Sequence, residues 1–140
     1  MDKELGISLW LLRVGLGLFL LLFGLDKLVA TQTAASIFAQ YYGLSVSNAL
    51  VSVAGALEIA LALAILAGVW RTWSYGLGFV VHLVSTLATY RELLAPFGDN
   101  HMYLAALPVL AGFACLFLLR QRDTLWSLDA QRAGSRKQRR

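Results

Sequence analysis

Residues 49–69 read ALVSVAGALEIALALAILAGV. The run is apolar all round and carries one charge, Glu58, in 21 residues. A helix without a polar face suits lipid rather than the flank of a soluble bundle. Its length matches the ~20 residues that take a helix across a ~30 Å hydrocarbon core. Three similar runs accompany it, at about Leu5–Leu25, Trp73–Leu93 and Met102–Leu119. Together they predict an all-α, integral membrane four-helix bundle.

Composition agrees. Of 140 residues, 59% are hydrophobic and only 14% charged, where a soluble domain carries about 25% charged residues. Four spans occupy most of the chain and leave no room for a separate soluble domain. A signal peptide is the competing reading of the first run. The n-region MDKE is not net positive, Arg13 interrupts the apolar stretch and no A-x-A site follows, so the run is expected to be a retained span. The single cysteine, Cys115, lies in the fourth run. It has no partner for an intrachain dithiol and reads as a small core residue.

The connections set the topology. Between the first two spans, residues 26–48 are too broken by polar groups to cross. Ile37, Phe38, Tyr41 and Tyr42 fall near helical spacing, which predicts a short interfacial helix between spans 1 and 2, ending at Gly43. Trp70-Arg71-Thr72 is a tight connection, and Ala95–Asn100 a turn. Lys3, Arg71 and seven basic residues from Arg120 onward share one side; Lys27 and Arg91 lie on the other. Nine against two places both termini in the cytoplasm. Trp70, Trp73 and Trp126 then mark the inner edge, and Tyr41, Tyr42, Tyr90 and Tyr103 the outer one. Residues 1–130 form the membrane domain, and 131–140 a basic, disordered cytoplasmic tail suited to anionic lipid. No folded basic module or aromatic platform accompanies that tail, so nucleic acid is not an expected partner.

Three ionisable residues interrupt the apolar runs: Arg13, Glu58 and His82. A charge at the centre of a span costs roughly 2.5–3.5 kcal/mol on insertion scales, so such residues face one another or a polar cavity. Counted from the inner edge at ~1.5 Å per residue, Arg13 lies ~12 Å deep, His82 ~13.5 Å and Glu58 ~16.5 Å. These heights predict a buried Arg13–Glu58 pair with His82 beside it. The group acts either as a polar clasp or as a ligand-binding, proton-handling centre. Lys27 follows the first span and is expected to point down into the bundle. At the outer edge, Asn100 and His101 are further candidates among ordinary interface anchors. No cluster has metal-ligand spacing, and no phosphate loop, nucleophile elbow or other cofactor motif is evident.

The run from Thr33 to Arg71, TAASIFAQYYGLSVSNALVSVAGALEIALALAILAGVWR, resembles the DoxX family. Arg13, Gly17, Gly24 and Lys27 are similar to that family's first-span pattern. Gly43 and Leu44 follow, then Glu58, Gly68 and Arg71, with Ser127-Leu128-Asp129 closing the match. Ser45 stands where the family has proline, Leu61 and Ala62 stand near its Gly-Gly, and Asn100-His101-Met102 replaces a turn that often carries Glu.

The resemblance implies a four-helix membrane protein. Some relatives are subunits of a thiosulfate:quinone oxidoreductase, others are linked to redox and oxidative-stress systems, and distant ones are receptor-assembly chaperones. The first expectation is therefore a redox-associated subunit in the inner (plasma) membrane, with quinone as the cofactor the resemblance allows. It would have a membrane or peripheral redox partner, or a second copy of itself. Any enzymatic role would be as a subunit of a quinone-linked oxidoreductase. The alternatives are a non-catalytic assembly or scaffolding protein and a small proton-coupled transporter.

Overall fold

The computed structural model describes residues 2–138, and within them the chain is helical throughout, with no strand. The elements are α1 (Lys3–Val29), α2 (Thr31–Tyr42), α3 (Asn48–Ala67), α4 (Arg71–Ala88), α5 (Tyr90–Leu94), a 3₁₀ segment (Gly98–Ala105), α6 (Ala106–Leu118) and α7 (Leu128–Gln138). Three helical stretches are long and apolar enough to cross a membrane: Lys3–Val29, Asn48–Ala67 and Gly98–Leu118. The 18-residue α4 is not among them. It is shorter than the expected third span: it ends at Ala88, where Thr89 leaves helical geometry at φ −99° and ψ 26° and the short α5 follows. The last span opens as 3₁₀ helix. Pro108 has no N–H to give the carbonyl four residues back, so a regular α-helix cannot run through its first turn unbroken.

Helices α1, α3, α4 and α6 pack around one core of Leu9, Leu16, Leu20, Ala62, Ile65, Tyr75, Phe113 and Leu116. On α1 the buried stripe is Gly6, Leu9, Arg13, Leu16, Gly17, Leu20 and Gly24, a spacing of threes and fours that keeps one face inward. On α4 the pattern is inverted. Its buried residues are Ser74, Tyr75, Gly78, His82 and Thr86, while Leu77, Val80, Val84 and Leu87 are exposed. Comparable apolar exposure occurs at Leu11, Leu18, Leu57, Leu63, Leu107 and Leu118. Apolar surface on this scale is costly in water and matches lipid.

The contact between α1 and α3 rests on glycine. A Cβ on Gly55 would lie 2.9 Å from the Gly24 carbonyl and 2.9 Å from the Lys27 Cβ. Small residues permit this approach where no water drives helices together. Gly17 meets Leu66 in the same way, but Gly15 faces open space and is no packing contact. Cys115, expected in the core, is exposed on α6.

Beyond α6 the chain does not trail away at once. Asp123 and Ser127 are fully buried, so the segment before α7 belongs to the packed body. The tail expected to be disordered is helical to Gln138. Asp129 in its first turn and Arg136 and Lys137 in its last complement the helix dipole. Arg139 and Arg140 lie outside the described residues. Gly55→Val drives a methyl-bearing carbon into backbone and into Lys27, and overpacking of this kind costs about 1–3 kcal/mol. A lowered melting temperature in detergent is the expected result; an unchanged one would contradict the close α1–α3 contact.

Candidate functional site

The structure separates the residues that the height estimate grouped. Arg13 does not meet Glu58. Its guanidinium Nη1 donates to both carboxylate oxygens of Asp123 at 3.0 Å, and Nη2 donates to the carbonyls of Leu125 (2.9 Å) and Trp126 (3.3 Å). Tyr75 donates its hydroxyl to Asp123 Oδ2 at 2.6 Å. Arg13, Asp123 and Tyr75 are all at most 1% exposed.

The reason lies first in the register of the two helices. α1 and α3 are antiparallel, with Gly17 beside Leu66 and Gly24 beside Gly55 and Ile59, so Glu58 stands level with Gly24, eleven residues or ~16 Å of rise from Arg13. Every Cα–Cβ bond on a helix tilts toward that helix's N-terminus, which widens this gap. The Arg13 head arrives beside Gly68, where an added Cβ would be 3.0 Å from Nη1. Gly68 is ten residues beyond Glu58, or ~15 Å of helix rise. Lys27 and Glu58 reach toward each other instead, and Lys27 Nζ donates to Glu58 Oε2 at 2.5 Å.

Two polar centres result. The first is a clasp at the end that carries Trp70, Trp73 and Trp126. Gly68 caps α3 in the left-handed region at φ 62°, a conformation open to glycine at little cost. Its carbonyl accepts from Ser127 Oγ (2.8 Å) and from the Asp129 N–H (3.2 Å). Asp129 Oδ2 accepts the Arg71 N–H at 3.0 Å and lies 3.7 Å from Arg71 Nε. The Arg71 guanidinium also donates to the Asp123 carbonyl. Trp126, at φ 51°, aims its carbonyl at Arg13 and sets its ring edge-on to Trp10 at 5.3 Å. These contacts knit residues 123–129 onto α1 and the α3–α4 turn, and the Arg13–Asp123 charges neutralise one another. This centre holds helices together.

The second centre lines a cavity of about 690 Å³ between α1, α2, α3 and α4. Phe19, Phe23, Phe38, Leu61 and Val81 are among its walls, with Lys27, Glu58, Tyr42, His82 and Ser85 as the polar groups. α2 forms its roof. Tyr42 donates to Ser85 Oγ at 3.1 Å, which ties α2 to α4. His82 lies between Phe19 and Phe113, with Nε2 3.0 Å from the Ala106 carbonyl. The exposed Leu57, Leu77, Val80 and Val84 rim the opening between α3 and α4.

Thus Lys27, Glu58 and His82 share one cavity, and Arg13 does not belong to it. Asn100 and His101 do not reach it either. Asn100 donates to the Ala95 carbonyl at 3.0 Å, and His101 Nδ1 lies 2.6 Å from the Gly98 carbonyl, closing their own turn. Nearby, Tyr41 and Tyr103 join hydroxyls at 2.5 Å. That hydrogen bond, aided by partial burial, pushes the Tyr41 phenol up to about 12. Tyr41 therefore stays protonated near neutral pH, and the pair acts as a strut. Among the described residues no group of His, Cys, Asp and Glu could hold a metal ion.

Sequence reasoning passed over Asp123 and Tyr75. Asp123 is the one acid between Asp99 and Asp129, set beside Arg120 and Arg122, and that isolation was the available signal.

A family model described as DoxX matches residues 8–91. The span includes Arg13, Lys27, Glu58, Arg71 and His82 and stops short of Asp123 and Ser127–Asp129. No match was found among curated proteins or among solved structures.

Removing one member of a buried pair leaves an uncompensated charge and costs about 3–5 kcal/mol. Asp123→Ala should therefore lower thermal stability in detergent strongly, and the double variant Arg13→Met with Asp123→Leu should recover most of the loss. A single variant as stable as the parent would refute the clasp.

Proposed function

The chain belongs to the DoxX family, and we propose that it is a multi-pass membrane subunit of a redox system whose cavity takes up a quinone or similar apolar ring ligand. The observation that carries this reading is the cavity of about 690 Å³ with apolar walls and a few convergent polar groups, Lys27, Glu58 and His82. Small-molecule sites have this character: bulk apolar contact for affinity, a few polar groups for orientation. The opening between α3 and α4 is rimmed by apolar side chains, so a lipid-soluble ligand enters from the bilayer without passing through water. Proton handling at a ring oxygen needs a titratable group within hydrogen-bond reach, and the Lys27–Glu58 pair and His82 supply such groups. Electrons come, in this reading, from a membrane or peripheral partner protein.

In the same reading α4 is the third of four spans, since its polar residues face inward and its outer face is apolar. Both termini lie in the cytoplasm of a cell with its inner membrane as host, supported by the excess of nine Lys and Arg over two. The α2 helix lies in the outer interface. Maleimide labelling of intact cells is expected to reach a cysteine placed at Asn100, in a Cys115→Ala background, and not one placed at Gln138. The reverse pattern would invert the topology.

Solvent extraction of protein purified in mild detergent is expected to yield a bound quinone. A hydrogen bond to a charged group contributes about 1.5–3 kcal/mol, so Glu58→Gln and Lys27→Gln should each weaken binding about tenfold or more. An empty wild-type cavity that takes up no added quinone, or binding indifferent to both substitutions, would sink the proposal. A stoichiometric partner copurifying with an empty cavity would favour the assembly role instead.

A further inference from the structure

The partner of His82 fixes where its proton sits. The Ala106 carbonyl, 3.0 Å from Nε2, can only accept, so Nε2 carries hydrogen. In the neutral ring Nδ1 is then a bare lone-pair acceptor. Nδ1 has no hydrogen-bond partner among the described residues, and it is not among the fully enclosed unpaired atoms there, where Arg13 Nε alone falls. His82 stands in the cavity wall, so the cavity is the space this acceptor addresses. Phe19 and Phe113 hold the ring at centroid distances of 5.5 and 5.8 Å. On the α3 wall, Glu58 gives Oε2 to Lys27 and leaves Oε1 without a partner among the described residues. The Tyr42 proton is committed to Ser85.

Resting on the reading of this cavity as a ring-ligand site, we propose that it selects the reduced, hydroxyl-bearing form of that ligand. A hydroquinone donates one O–H to His82 Nδ1 and turns the other toward the Lys27–Glu58 pair. The oxidised quinone has only acceptors. At the His82 end its carbonyl would set lone pair against lone pair. Moving the ring proton to Nδ1 relieves that clash only by setting the Nε2 lone pair against the Ala106 carbonyl. An apolar tail on the ligand leaves through the gap between α3 and α4.

The test compares a short-chain benzohydroquinone, its quinone and its dimethyl ether, titrated calorimetrically and without oxygen into the full chain in detergent. The hydroquinone should bind about tenfold tighter than either of the others, the scale of one net hydrogen bond in an apolar site. His82→Phe keeps a ring between Phe19 and Phe113 and should abolish the preference, both by removing the acceptor for the hydroquinone and by removing the lone pair that opposes the quinone. His82→Gln retains an acceptor and should keep part of the preference, and it serves as the probe if His82→Phe does not fold. A quinone that binds as tightly as the hydroquinone, or a preference that survives His82→Phe, overturns the selectivity and leaves the ring-ligand reading standing. Failure of all three compounds to bind overturns both.

Discussion

The Arg13 guanidinium sits at the junction of α1, the α3–α4 turn and the segment that follows α6. A buried cation is tolerated only with an opposite charge and hydrogen bonds around it, and Asp123, Leu125 and Trp126 meet that demand. To do so, residues 123–129 must fold back onto the body of the protein. That return brings Ser127 to the Gly68 carbonyl and Asp129 to Arg71, so the cap of α3 and the start of α4 are fixed by the same segment. The geometry of one end of the molecule follows from the one charge that α1 carries inside.

The other end is organised by a different pair, Lys27 on α1 and Glu58 on α3. Side chains on antiparallel helices lean in opposite directions along the shared axis. Arg13 and Glu58 therefore lean apart, while Lys27 in the last turn of α1 and Glu58 midway along α3 lean together. Lys27 meets Glu58 for this reason, and the Gly24–Gly55 contact brings the backbones close enough for the bond to be short. The cavity lies next to this pair, under α2, with walls from α1, α3 and α4. An ion pair at a cavity wall differs chemically from one sealed in a core. Among the described residues, Glu58 Oε1 and His82 Nδ1 have no hydrogen-bond partner.

Much of the architecture was legible from apolar run lengths. The helices at Lys3–Val29 and Asn48–Ala67 overlie the runs read at about Leu5–Leu25 and at 49–69, and the short helix ends at Gly43 as its spacing placed it, while α3 stops at Ala67, short of the expected turn at Trp70–Thr72. The candidate site was only half legible. Lys27, Glu58 and His82 were named, but Arg13 was assigned to the wrong partner, because counting residues from an assumed membrane edge does not give the register in which α1 and α3 pack. The buried place of Asp123 was missed because a polar stretch after the last span looks like any solvated tail. Cys115 faces outward because residues of a lipid-facing helix need not turn apolar groups inward.

The sequence by itself determined that this chain is helical, that its long helices are apolar enough for a membrane, and that a few charges inside them need partners. Those properties depend on local composition and on the unavoidable cost of a buried charge. Which charge meets which was decided by the tertiary structure alone. Pairing depends on helix direction, on the approach that Gly24 and Gly55 allow, and on a chain segment more than a hundred residues away from Arg13. The same long-range packing left a cavity beside Lys27, Glu58 and His82, a space that no run of residues encodes.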